Sequence, residues 1–493
     1  MPTFHIEQFG CRATQADAAA IERQLRAQGH ELASAPATAD VIVVNTCTVT
    51  AAADSQARDA IRKLHAANPD AKIIATGCYA QRAPEELAAL DGVLHVVGNS
   101  HKPEIPDLVT SISPVEAAAA QSNFVLLDAI AAPPKILTAS IFDRSEFLSA
   151  PVLGGEANHT RPTLKIQDGC NLRCSYCVIP FVRGKSRSMP PAEVIAEIQR
   201  LSAAGYKEIV LSGINLGTWG RDLTPRVEFE DLLRRILDET NVARLRISSI
   251  EPLDVTQDLI ALFASTSRIA QHFHMPLQSG SDKILGAMYR WYRSEHYARR
   301  VELIRDQLPN AAIGADVIAG FPGESAEDHG ATIDFIERRP FTYLHVFSYS
   351  VRPGTAAAQM PDHVPATTIK QRARELRALS EKKSAAFRES QLGVTLEVLT
   401  LRNTNESNTA QSGETESTSG DAGAQPWTPA ISTNYLQLRL TGVFQPNQLL
   451  RVKITHQENG ILHATSETRL ETKRETKIET SGNFAVHHAA PGL

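Results

Sequence analysis

Short apolar runs alternate with amphipathic stretches over the first hundred residues. Residues 4–8, 41–45 and 72–76 read as strands, and residues 14–28, 51–67 and 84–90 as helices between them. Strands separated by helices predict parallel βαβ pairing, so residues 1–105 read as a small parallel α/β domain. Residues 106–158 are Ala- and Pro-rich with weak periodicity and predict a linker. The alternation then resumes and lasts longer. Six strand-like runs, at 163–167, 208–211, 244–248, 271–276, 312–318 and 343–347, are separated by helical segments such as 191–204, 228–239 and 326–339. Within a domain spanning 159–389, that rhythm predicts a partial (βα)6 barrel, closed off by a charged helix at 367–390. Residues 390–470 change character to short β-rich runs at 392–401, 435–440 and 449–456, which predict a small all-β barrel. Polar, Gly- and Ser-rich residues 403–425 interrupt it and read as a disordered insertion; residues 471–493 read as a disordered tail.

At 493 residues, 42% hydrophobic and 21% charged, the chain has ordinary globular composition and length for about three domains. No run approaches the ~18 apolar residues of a membrane span, and the first twelve residues lack the signature of a signal peptide. A cytoplasmic chain with reduced cysteines is therefore expected. Its net charge of −5 argues against bulk capture of nucleic acid. Any RNA contact then falls to local basic segments at 183–187, 289–300 and 370–383, each of which also reads as a solvated helix face.

Six cysteines are too few for a disulfide scaffold. Cys170, Cys174 and Cys177 form C-x3-C-x2-C directly after a strand, a loop short enough to bring three thiolates to one metal centre. Zinc is one reading and an iron–sulfur cluster another; three unrelated core cysteines is the third. Three thiolates on a four-iron cluster leave one iron open. Cys11, Cys47 and Cys78 lie far apart in sequence, yet each follows a strand-like run by two or three positions. Carboxyl ends of parallel strands share one edge, so these three can converge; otherwise they are small buried hydrophobes. Six cysteines cannot saturate two cubane clusters, but three plus three supply two clusters with one open iron each.

The C-x3-C-x2-C loop opening a βα repeat resembles the radical S-adenosylmethionine (SAM) enzymes. NTCTVT at 45–50, GCYAQ at 77–81, LKIQDGC at 164–170, RISSIEP at 246–252, QSGS at 278–281, DVIAGFPGE at 316–324 and HVFSYSVRPGT at 345–355 together resemble the methylthiotransferases, in the branch acting on threonylcarbamoyladenosine of tRNA. The first cysteine motif departs from that pattern, reading FGCRATQ where LGCKVNQ is usual. The resemblance implies an N-terminal iron–sulfur domain, a radical SAM domain and a C-terminal barrel of the TRAM type. It also implies two [4Fe–4S] clusters, one on Cys11, Cys47 and Cys78, and one on Cys170, Cys174 and Cys177 that binds SAM. SAM cleavage would remove hydrogen from adenine C2, and the first cluster would present the sulfur. Tyr176, Ser212, Gly213, Glu251, Gln278, Asp316 and Gly320 are implied as SAM contacts.

The implied partners are the anticodon stem-loop of tRNA, an electron donor of flavodoxin or ferredoxin type, and a sulfur donor. Tyr289, Trp291 and Tyr292 have the composition to stack splayed bases. Arg352 or Arg183 is expected to pair with the threonylcarbamoyl carboxylate, and Arg439, Arg451 and Lys453 to form the barrel's RNA patch. The rivals are isopentenyladenosine tRNA, a ribosomal-protein aspartate, and a non-catalytic iron–sulfur RNA-binding protein.

Overall fold

The computed structural model describes residues 2–112, 134–143, 147–152, 160–403 and 426–469. The tail expected at 471–493, and the insertion expected at 403–425 apart from residue 403, lie outside them. No helix among the described residues is long and apolar enough to cross a membrane.

A six-stranded parallel sheet forms the first domain: β1 (Thr3–Gln8), β2 (Glu31–Leu32), β3 (Val41–Thr46), β4 (Lys72–Gly77), β5 (Val93–Gly98) and β6 (Lys135–Leu137), in the spatial order β2-β1-β3-β4-β5-β6. Every residue of β3 is buried. Val41 and Val43 pack with Phe4, Ile21 and Leu25 on one face, while Ile42 and Val44 join Ala57, Ile61 and Ile73 on the other. A strand covered on both faces reads as a continuous apolar run. The helices α1 (Arg12–Ala27) and α2 (Ala51–Ala67) supply those covers. The expected linker is in part structural. Ile105–Ser111 is a helix, Lys135–Leu137 pairs with β5 as the sheet's edge, and Leu148 and Ala150 belong to the domain's core.

The second domain places six parallel strands side by side in chain order: β7 (Thr163–Asp168), β9 (Glu208–Gly213), β10 (Arg244–Ile247), β11 (His272–Gln278), β12 (Ala312–Ala319) and β13 (Tyr343–Ser348). Single bridges, Leu245 to Ile269 and Ser249 to His274, join the β10 and β11 segments. A two-residue antiparallel strand, β8 (Arg187–Ser188), sits at the β7 edge. The result is an open, partial (βα)6 barrel. The helix Ala366–Ser390 packs along β13 with Leu376 and Leu379 in the core.

Five strands close the third domain: β14 (Thr395–Thr400), β15 (Trp427–Ser432), β16 (Gln437–Thr441), β17 (Leu449–Glu458) and β18 (Ile461–Arg469). This barrel is fixed to the second domain by a buried ion cluster. Glu208 pairs with Arg244 at 2.5 Å and Arg246 at 2.7 Å. Their remaining donors reach the carbonyls of Ile431, Ser432 and Thr433. Burial opposes ionisation of Glu208, but the guanidiniums of Arg244 and Arg246 outweigh it and hold the carboxyl far below its usual range.

Candidate functional site

In the first domain the strand order 2-1-3-4-5 reverses between β1 and β3, and ligands settle outside the carboxyl ends at such a point. Cys11 follows β1, Cys47 follows β3, and Cys78 follows β4 as the first residue of the helix Cys78–Arg82. Two glycines permit the convergence. Gly10 has φ +102°, and a Cβ there would stand 2.4 Å from the Cβ of Cys47. Gly77, also at φ +102°, would place a Cβ 2.3 Å from the carbonyl oxygen of Thr46. Gly10→Ala is therefore expected to disturb the first cysteine set alone. In reconstituted protein, iron should fall from about eight to about four per chain, measured by chelation assay; unchanged iron would refute that role for Gly10.

The second set stands at the carboxyl end of β7. Cys78 packs against Val178 and Val182, which follow the C-x3-C-x2-C loop, so the two sets are neighbours. Burial, then the adjacent Cys78 thiol, push Cys47 up to about 12; burial, then Cys174, do the same to Cys177. A metal cation deprotonates the thiols that coordinate it, so thiols crowded in this way suit metal ligation. Donors already face the sulfurs. Arg290 Nη1 lies 3.2 Å from Cys174, Leu172 N 3.4 Å and Asn215 Nδ2 3.7 Å from Cys170, and Asn99 Nδ2 3.5 Å from Cys78. Hydrogen bonds to sulfur tune iron–sulfur clusters. Each set thus fits a cluster held by three thiolates.

A cavity of about 510 Å³ opens at the carboxyl ends of the barrel strands, lined by Cys11 and by all three cysteines of the second set. Tyr176, Ser212, Gly213, Glu251, Gln278 and Asp316 line it too. Ser248 Oγ and Asn215 Oδ1, both on the cavity wall, are buried without a hydrogen-bond partner among the described residues. A polar ligand would satisfy them. Gln278 holds φ +66°, a strained conformation for a residue with a side chain, and lies buried on this wall.

Four expectations are corrected. Gly320 is not at the cavity; a Cβ there would meet Ile369 of the helix Ala366–Ser390 at 2.4 Å. Tyr292 is core, its hydroxyl donating to the carbonyls of Pro276 and Leu277, whereas Tyr289 and Trp291 are exposed. Arg183 is fully buried between Asp168, at 2.8 Å, and Asp17, at 3.0 Å. Arg352 is buried against Asp54 at 2.6 Å. Neither arginine lines the cavity. In the barrel, Arg439 stacks on Trp427 at 4.4 Å, and Arg451 and Lys453 point outward from β17.

Sequence reasoning missed Arg290, which ion-pairs with Glu251 inside the cavity. It expected Asp316 but missed the imidazoles beside it. Asp316 lies 3.2 Å from His274 Nε2 and 3.3 Å from His345 Nδ1, and although burial works to raise it, the two imidazoles bring it down to about 2. Tyr435 reaches in from the barrel at φ +68° and stacks on His272, 4.3 Å between centroids. These contacts join side chains from three neighbouring strands and from the third domain, and the motifs that begin at Asp316 and His345 do not by themselves disclose the pairing.

Residues 3–98 match the model of Uncharacterized protein family UPF0004, and residues 164–336 that of the Radical SAM superfamily. The threonylcarbamoyladenosine tRNA methylthiotransferase MtaB of Aquifex aeolicus (strain VF5) is 37% identical over 397 residues, 80% of this chain and 92% of that protein. The tRNA-2-methylthio-N(6)-dimethylallyladenosine synthase of Thermobifida fusca (strain YX) is 34% identical over 403 residues, 80% of this chain and 77% of that protein. Among solved structures, the radical SAM methyltransferase TsrM from Kitasatospora setae, with tryptophan substrate and a SAM analogue bound, has a TM-score of 0.53 at 16% identity, over 73% of this chain and 75% of that one. A UPF0004 domain joined to a radical SAM domain, with such identity over nearly the full length of a methylthiotransferase, places this chain in the radical SAM methylthiotransferase family, enzymes that use SAM and two [4Fe–4S] clusters to transfer a sulfur-containing group.

Proposed function

We propose that the chain adds a methylthio group to C2 of N6-threonylcarbamoyladenosine at position 37 of tRNA, beside the anticodon. One observation carries the chemistry: a cysteine of the first set and all three of the second line a single cavity. Cys170, Cys174 and Cys177 would hold the cluster that binds SAM, and Cys11, Cys47 and Cys78 the other. When bound, these groups supply SAM cleavage, removal of hydrogen from an unactivated carbon, and the sulfur that replaces it. The chain's own residues position and shield the reactants. Arg290, fixed by Glu251, donates to Cys174 Sγ and orders the loop around the second set. Ser248 Oγ and Asn215 Oδ1 offer unfilled polar contacts for SAM. Tyr289 and Trp291, exposed beside a basic segment, offer rings for bases of an open loop.

Substrate choice rests on the cavity's polarity and on the relatives' names. The threonylcarbamoyl group carries a carboxylate and a hydroxyl, and the cavity wall presents Arg12, His272, His345 and Tyr343. A dimethylallyl group would strand those donors. The closing test is mass spectrometry of tRNA nucleosides and ribosomal proteins from a cytoplasmic extract of a deletion strain. The methylthio form of threonylcarbamoyladenosine should vanish while its precursor accumulates, and the gene should restore it. Loss of the dimethylallyl counterpart, or of an aspartate modification in a ribosomal protein, would assign another substrate.

A further inference from the structure

Among the described residues, the cavity wall carries a cation, Arg12, whose side chain is left unused. Arg12 opens α1 directly after Cys11 and lines the cavity. It is partly exposed, and among the described residues its side chain makes no hydrogen bond or ion pair. The neighbouring arginines are all committed: Arg290 to Glu251, Arg183 to Asp17 and Asp168, Arg352 to Asp54, and Arg246 to Glu208. Arg12 is close enough to His272 and Tyr343 to act electrostatically on both. His272 adds a second unfilled contact. Its ring is buried between Tyr343 and Tyr435, its Nε2 lies 2.7 Å from the Tyr343 hydroxyl, and its Nδ1 has no partner among the described residues. The carboxylate on that wall, Asp316, is already held by His274 and His345 and leaves Arg12 free for a ligand.

Resting on the threonylcarbamoyladenosine reading, we propose that Arg12 binds the substrate's threonyl carboxylate, with His272 Nδ1 bonding the polar group beside it, so that Arg12 determines specificity for an acidic N6 substituent. A guanidinium matches a carboxylate by two parallel hydrogen bonds. It also rejects: an apolar substituent entering beside Arg12 would strip its water and return nothing. The position is apt for another reason. Cys11 and Arg12 are consecutive, so the residue that would read the substituent is joined to a residue of the cysteine set assigned to sulfur delivery.

The test uses reconstituted holoenzyme and two synthetic anticodon stem-loops, one bearing N6-threonylcarbamoyladenosine and one its threonine methyl ester. Wild type should favour the acid over the ester by roughly tenfold or more in kcat/KM. Arg12→Gln should erase that ratio and Arg12→Lys retain part of it. Because the ratio is taken within each variant, any loss of clusters cancels, and anisotropy of labelled stem-loops reads the same ratio without turnover. Equal treatment of acid and ester by wild type, or an undiminished ratio in Arg12→Gln, overturns the assignment while leaving the substrate reading intact. Failure of wild type on both of these stem-loops, with activity on a third that bears N6-dimethylallyladenosine, overturns the substrate reading itself and the Arg12 assignment with it.

Discussion

Cys47→Ala is expected to leave SAM cleavage standing and to abolish methylthiolation, whereas Cys170→Ala abolishes both. The reason is the separation of the two sets. Cys47 lies at the end of β3 in the first domain, 4% exposed, with Gly10 pressed against it and Cys78 and Cys11 as its nearest thiols. Cys170 lies at the end of β7 in the second domain and receives hydrogen bonds from Leu172 and Asn215 of that same domain. Removing Cys47 deprives its set of one of three thiolates without touching a contact of Cys170. Loss of a ligand should cost more than the ~10–100-fold that loss of an outer-shell partner costs. Methylthiolated RNA should therefore fall below detection in Cys47→Ala while 5′-deoxyadenosine still accumulates, both followed by mass spectrometry of anaerobic reactions with dithionite. Loss of 5′-deoxyadenosine in Cys47→Ala would contradict this division of labour.

What the sequence disclosed follows from the range of the forces involved. Each cysteine of the first set could be placed because its strand is a local apolar run, and parallel pairing then aligns the carboxyl ends. The barrel's six strands were legible for the same reason. β6 was not: three residues, Lys135–Leu137, form a strand only because β5 offers an edge. β15 and β18 were likewise missed, since Trp427–Ser432 contains a proline and Ile461–Arg469 is largely polar; barrel closure decides both. Arg183 misled in the opposite sense. In the run RGKSR it looks like surface charge, and what buries it is Asp17, 166 residues away in sequence. Charge alone does not reveal its partner. Tyr292 sits in an aromatic, basic stretch yet turns inward, because its hydroxyl caps two carbonyls at the end of β11. Arg12 went unremarked as a substrate contact because its value lies in having no side-chain partner among the described residues, which only the set of its neighbours discloses.

That buried pairing leads to the largest expected loss of stability. Asp17, 2% exposed on α1, faces Lys102 of its own domain at 2.8 Å, and Lys165 and Arg183 of the second domain. Asp168 joins the same group through Lys165 at 3.2 Å and Arg183 at 2.8 Å. The two domains are thus clasped immediately behind both cysteine sets. Asp17→Asn keeps the shape but leaves Lys102, Lys165 and Arg183 buried with a carboxylate removed, a change expected to cost ~3–5 kcal/mol. Asp17→Leu combined with Lys102→Met should cost less than Asp17→Asn, since it removes a charge from each side. The pH dependence has a definite sign. Burial would raise the Asp17 carboxyl, but Arg183, Lys102 and Lys165 outweigh it and hold it well below the ordinary value. A carboxylate depressed in this way contributes its full stability above the unfolded pKa of ~3.9 and loses it as pH falls through the lower folded value. The gap between wild type and Asp17→Asn should therefore stay constant from about pH 7 to about pH 5 and narrow below about pH 4, read from anaerobic urea unfolding of the holoenzyme. A gap that instead shrank near neutral pH, or an Asp17→Asn variant as stable as wild type, would show that the clasp does not hold the domains together.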